Sequence, residues 1–155
     1  MSAPHNNHGT ADIADELAIR DLVARFSDAC IRGDIEQFTE TWMAEGRWLI
    51  GQPFEAKCEG IDSILSHLHF LRDGLIFFTQ LVTHGVLDVK GDRATIRSPV
   101  WEMASGPADH FYNNLGLYHD VVVKTDGKWR FLERRYEYIW LSTDPFPGVA
   151  IPRQS

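Results

Sequence analysis

Cysteine is nearly absent from this chain. Cys30 and Cys58 are the only two in 155 residues, too few and too loosely spaced for a disulfide framework or a thiolate metal site, and both are expected to be reduced and buried. Long apolar runs are missing: nowhere do about 18 apolar residues follow one another, so no segment is expected to span a bilayer. Positive charge is in deficit. Lys and Arg total 15 against 22 Asp and Glu, a formal net charge of −7, and without a basic run the attraction that nucleic acid or an anionic membrane surface requires is lacking. Residues 1–11 are polar, without the apolar core of a secretory signal, which reads as a cytoplasmic protein with a flexible amino terminus.

Other signatures are missing too. There is no internal repeat, no low-complexity tract, no glycine-rich phosphate loop and no dinucleotide fingerprint. The histidines offer no chelating pair. His67 and His69 fall two apart on a helix, on nearly opposite faces, His110 and His119 have no local partner at ligand spacing, and His5 and His8 lie near the terminus. No metal and no other cofactor is expected.

What the chain does contain is core material: 44% hydrophobic residues, with 5 Trp, 9 Phe and 4 Tyr, enough for one domain over residues 12–142. An irregular tail is expected over 143–155, given Pro145, Pro147, Gly148 and Pro152. Apolar residues recur at helical spacing from Asp12 to Arg32 (Ile13, Leu17, Leu22, Val23, Phe26, Ala29, Cys30), behind an acidic start and ahead of Gly33. Asp34 with Gln37 three residues on reads as a capping box opening a short helix through Phe38 to Trp42. A third helix is expected over Ile61–Arg72. From residue 75 the period changes to strand-like. Phe77–Val89, Arg93–Met103, Leu115–Lys124 and Trp129–Leu141 are β-branched and aromatic, with turn chemistry at Gly91-Asp92 and Asp126-Gly127. Arg47–Gln52 reads as a further short strand, and Ser105–Asn114 as a loop long enough to cover a cavity mouth. Helices first and strands afterwards give an α+β fold, with helices on one face of a curved, mostly antiparallel sheet.

Local signatures in this order resemble the SnoaL-like branch of the nuclear-transport-factor-two-like superfamily, which includes scytalone-dehydratase-like and ketosteroid-isomerase-like proteins and the small subunits of ring-hydroxylating dioxygenases. The carriers are Ile19-Arg20-Asp21-Leu22 through Phe26-Ser27-Asp28-Ala29 and Gly33-Asp34, then Glu45-Gly46-Arg47-Trp48. Thr83-His84, Gly91-Asp92-Arg93-Ala94, Gly116-Leu117-Tyr118-His119-Asp120 and Asp126-Gly127-Lys128-Trp129-Arg130-Phe131, leading to Arg134-Arg135, complete the set. The resemblance covers nearly the whole chain. It implies a cystatin-like cone: N-terminal helices packed in a strongly curved sheet around an apolar pocket.

His84 matches the position at which dehydratase-like relatives place a pocket histidine, and an imidazole titrating near neutrality can take or give a proton without a metal. The same resemblance puts Ile31 where several catalytic relatives carry an aspartate partner for that histidine. Strand alternation sets Gly116, Tyr118, Asp120 and Val122 on one side, and by resemblance that side faces the pocket, making His84, Tyr118 and Asp120 the candidate catalytic residues. The plainer alternative for Asp120 is a pair with Arg134 or Arg135 on the next strand. Phe26, Trp48, Trp101 and Tyr136 are the candidate apolar contacts with substrate. Alternation points either Glu102 or its neighbours Trp101 and Met103 inward, and the cost of burying a charge favours Glu102 outward.

These readings add up to cofactor-independent proton transfer on a hydrophobic cyclic or aromatic molecule, as a dehydratase, isomerase or hydratase. The alternative is a non-catalytic ligand-binding or accessory subunit, with a larger oxygenase chain as its partner. The apolar strand residues that a curved sheet leaves on its outer face are expected to be covered by self-association, with a dimer as the default.

Overall fold

The computed structural model describes residues 13–107 and 110–151. The proposed flexible segment 1–11, with His5 and His8, lies outside the described residues, as do the last four residues of the tail. Helix α1 (Ile13–Arg32) buries Ile19, Leu22, Phe26, Ala29 and Cys30, a stripe at three- and four-residue steps that faces the sheet. Gly33, at φ +74°, ends it by taking the left-handed conformation that L side chains resist. Asp34 then caps α2 (Ile35–Glu40), its carboxylate accepting from the Gln37 backbone N–H at 2.9 Å. The Gln37 side chain does not close a capping box. It turns back to α1, donating to the Arg25 carbonyl and the Asp28 carboxylate, each at 2.9 Å, and so fixes the angle of the helix pair.

Trp42, expected at the end of the second helix, instead opens strand β1 (Trp42–Ile50), which pairs with a short strand β2 (Ala56–Glu59) that the sequence pattern does not announce. Helix α3 (Ile61–Arg72) follows with Ile64 and Leu68 buried. The expected strand Phe77–Val89 is two strands, β3 (Phe77–Val82) and β4 (Val86–Lys90), broken at residues 83–85 and both paired to β5 (Arg93–Gly106). Strand β6 (His110–Thr125) pairs with β5 all the way to Gly106↔His110. Residues 105–106 and 110–114 of the anticipated long loop are therefore strand. Strand β7 (Lys128–Ser142) completes a seven-stranded sheet in the order β2-β1-β7-β6-β5-β3, with β4 on β5 and with β1 and β7 parallel. The sheet is mixed, curled and not closed, and its concave face holds the helices.

The core is aromatic. Phe26 lies against Phe38, Trp42, Trp48, Tyr118 and Phe131, with ring centroids 5.1–6.1 Å apart. A register shift between Val121 and Val122 on β6, opposite Glu133 and Phe131, makes a bulge on β7. Across it Phe131 and Arg134, three apart, both point inward, which strict alternation would forbid. On the convex face Leu81, Trp101, Leu115 and Trp140 stand opposite one another on β3, β5, β6 and β7 and are each roughly half exposed. Phe146 of the tail covers the far end of that face, against Phe77 and Phe111. Among the described residues no helix is long and apolar enough to cross a membrane.

Candidate functional site

A cleft of about 370 Å³ opens between α1 and the β3–β4 connection, a size within the range of small-molecule sites. Its walls are mostly aliphatic: Ile19, Val23 and Ile31 from α1, Val82 and Leu87 from the strands beside the connection, and Ile96 from β5. Ser27, Gln80 and Ser98 supply polarity inside, and His84 stands on the rim. His84 is not in a strand, as its sequence context suggests. It sits in the three-residue break between β3 and β4 and is exposed. Gly85 makes this placement possible, since a Cβ there would strike the Ser98 hydroxyl and come within 2.8 Å of the Arg97 carbonyl. The connection thus lies directly on β5.

Ser98 is 1% exposed, lines the cleft, and its hydroxyl has no hydrogen-bond partner among the described residues. Buried hydroxyls are normally satisfied; this one lies under Gly85 at the edge of the cleft with its donor unmet.

Tyr118 and Asp120 do face inward, but they do not meet His84 in the cleft. The Tyr118 hydroxyl lies behind Gln80, accepting from the Gln80 amide at 2.9 Å and donating to Glu102 at 3.3 Å. Burial pushes the phenol well above its ordinary range, and the Glu102 carboxylate adds to the shift. The Asp120 carboxylate is gripped by Arg134 through two 2.9 Å hydrogen bonds, with neither side chain exposed. This is the plainer pairing weighed for it, and it removes Asp120 from any role of orienting the His84 ring. Arg134 is also enclosed by the rings of Phe26, Tyr118 and Phe131, with centroids 3.8–4.2 Å from the guanidinium carbon.

The four candidate substrate contacts lie elsewhere than expected. Phe26 and Trp48 are packed into the aromatic core, at 0% and 5% exposure. Tyr136 is buried against Tyr118 and Tyr138, and its hydroxyl donates to the Asn114 side chain. Trp101 is on the convex face, with its indole N–H on Asn113 at 2.8 Å. None of the four lines the cleft.

The inward residue of the Trp101-Glu102-Met103 triplet is Glu102, contrary to the expectation from burial cost. The cost is met by donors: Gln80 and Tyr118 on one carboxylate oxygen, Tyr112 at 3.1 Å and Asn114 at 3.3 Å on the other. Burial raises the Glu102 carboxyl above its ordinary value while these four hydrogen bonds oppose the rise. Tyr112 bonds onward to Tyr138 at 2.9 Å. Gln80, Ser27 and Ser98 are the polar residues that sequence reasoning passed over, and Glu102 the one it turned the wrong way. Cross-strand partners share a face, so placing Tyr118 inward also places Ser98, its partner on β5, and Glu102, partner of Asn114, inward. The signal was in the hairpin register, which assuming a long loop at 105–114 concealed.

An open, curled mixed sheet around N-terminal helices defines the cystatin-like class of α+β folds. Within it, the profile of the SnoaL-like domain matches residues 11–135, and the chain belongs to that family. A scytalone dehydratase-like protein of Novosphingobium aromaticivorans superposes with a TM-score of 0.77 at 19% identity, covering 93% of this chain and 97% of that one. The hexachlorocyclohexane dehydrochlorinase LinA-type3 of Novosphingobium barchaimii gives 0.80 at 15% identity, over 90% and 97% of the two chains. A cystatin-like protein of unknown function from Nostoc punctiforme gives 0.68 at 20%, over 81% and 91%. No curated protein matches the chain.

Proposed function

We propose that this chain binds an apolar cyclic or aromatic molecule in the α1/β3–β4 cleft and moves a proton on it, with His84 as the general base. The observation that carries the reading is the pairing, on one aliphatic cleft, of a rim imidazole with the unpartnered Ser98 hydroxyl. The unprotonated ring nitrogen of His84 takes a proton from carbon next to an activating group. In an elimination, the C–H electron pair becomes a double bond as the leaving group departs from the adjacent carbon. In an isomerisation, it moves onto a carbonyl oxygen, to which Ser98 donates, and His84 returns the proton elsewhere on the framework. Two structural relatives carry the names of eliminating enzymes, a dehydratase and a dehydrochlorinase, which favours the first course. Tyr118 contributes only through Gln80.

Ile31 lines the same cleft, at the place where the resemblance implies an aspartate, so an aliphatic side chain stands where an orienting carboxylate would. This specifically favours the second reading, a ligand-binding or accessory subunit that turns nothing over. The experiment that separates the two is solvent deuterium incorporation into bound cyclic ketones, with alkene formation from the corresponding alcohols and halide release from the corresponding halides as parallel readouts. Proton transfer in the wild type that falls about 100-fold or more in His84→Ala, with binding retained, supports the enzyme. Binding without exchange, unchanged in the variant, supports the accessory reading.

A further inference from the structure

Gln80, 3% exposed, stands between the cleft and the closed polar cluster behind it. Its amide nitrogen faces backward, donating to the Tyr118 hydroxyl at 2.9 Å and to Glu102. Its amide oxygen faces forward and accepts from the Ser27 hydroxyl at 2.9 Å. Glu102 imposes this orientation. Turning the Gln80 amide over would set its oxygen against a carboxylate oxygen, two acceptors with no proton between them. Asn114, on the other side of Glu102, is oriented by the same carboxylate, its nitrogen donating to Glu102 while its oxygen accepts from Tyr136. The cluster therefore has one arrangement, and its last member presents an oxygen to the cleft side.

We propose that Glu102, acting through Gln80, makes the floor of the cleft a hydrogen-bond acceptor, so that the site takes apolar molecules bearing a hydroxyl in preference to the same skeleton bearing a ketone. The inference rests on the cleft being the ligand site, as in the function proposed above. Ser27 has its proton engaged by Gln80, so both polar atoms on this floor offer lone pairs. A ligand hydroxyl donates to them and accepts from Ser98. A ketone oxygen is matched by Ser98 and opposed by the floor. Gln80 is the specificity-determining residue and Glu102 the positioning residue behind it.

The test uses a matched pair of probes, 2-tetralol and 2-tetralone, titrated by calorimetry into the full chain at about pH 8. The wild type binds the alcohol about tenfold more tightly, the yield of one net hydrogen bond. In Glu102→Gln the carboxylate that fixes the Gln80 amide is gone, either end of that amide can face the cleft, and the preference falls below about twofold. Gln80→Met, which offers neither group, brings the two affinities together. Equal affinities in the wild type, or the same preference surviving in both Glu102→Gln and Gln80→Met, overturn the inference and leave the cleft assignment standing. Failure of both probes to bind the wild type overturns the cleft assignment and the inference with it.

Discussion

At the scale of single residues, chemistry and stability divide cleanly. His84 sits on an exposed connection, so His84→Ala should change melting temperature little while abolishing proton exchange. Ile31→Asp is the converse test. If a carboxylate on that wall orients the imidazole, exchange should rise about tenfold, measured at fixed ligand saturation, at a modest cost in stability. Asp120 and Arg134 answer differently. Removing either alone leaves an unpaired charge among aromatic rings, and Asp120→Ala should lose about 3–5 kcal/mol in denaturant unfolding. Glu102 gives a pH signature. Its carboxyl is raised in the fold, mainly by burial, above an ordinary value of 4.5. The folded state therefore holds that proton more tightly than the unfolded chain, and this contribution to stability is present at low pH and lost as pH climbs through the raised folded value. Glu102→Gln has no proton to lose, so unfolding curves should show the variant gaining on the wild type as pH rises from about 4.5, with a constant gap below. That Tyr118 and Asp120 share a side was legible from alternation, and that this side faces inward came only from the family resemblance. The ligand-facing roles of Ser98 and Gln80 were not legible, because a lone serine or glutamine in a strand carries no sequence signal until the neighbours across the sheet are known.

At the scale of elements, helices were more legible than strands for a physical reason. A helix declares its buried face within its own sequence, and α1 did so from Leu22 to Cys30 and at the stop at Gly33, whereas Ile13 and Leu17 of the expected stripe are exposed and Ile19, outside it, is buried. A strand's face depends on partners far away. The bulge that brings Phe131 and Arg134 to the same side cannot be read from the β7 sequence, and the break between β3 and β4 is visible only as Gly85 lying on Ser98. That break positions the candidate base, so Gly85→Ala should push the connection off β5 and weaken ligand binding at the cleft more than it lowers stability. The cap at Asp34 belongs to stability alone. Asp34→Ala should cost about 1 kcal/mol in unfolding and leave binding unchanged.

At the scale of the whole molecule, the curled sheet uses its two faces differently. The concave face packs an aromatic core so completely that the expected central pocket shrinks to a cleft at the edge of α1, and Phe26, Trp48 and Tyr136 become structural. The convex face leaves Leu81, Trp101, Leu115 and Trp140 contiguous and half exposed. A contiguous row of this kind is the surface that self-association would cover. Sedimentation should accordingly show a species heavier than one chain that Trp101→Glu reduces to a single chain. The cleft remains the central claim, and an amide NMR titration with 2-tetralol tests it most directly. Shifts concentrated at Val23, Ser27, Ile31, Gln80, His84 and Ser98 are the predicted result. Shifts confined to the convex row, or none at a saturating concentration, would contradict it.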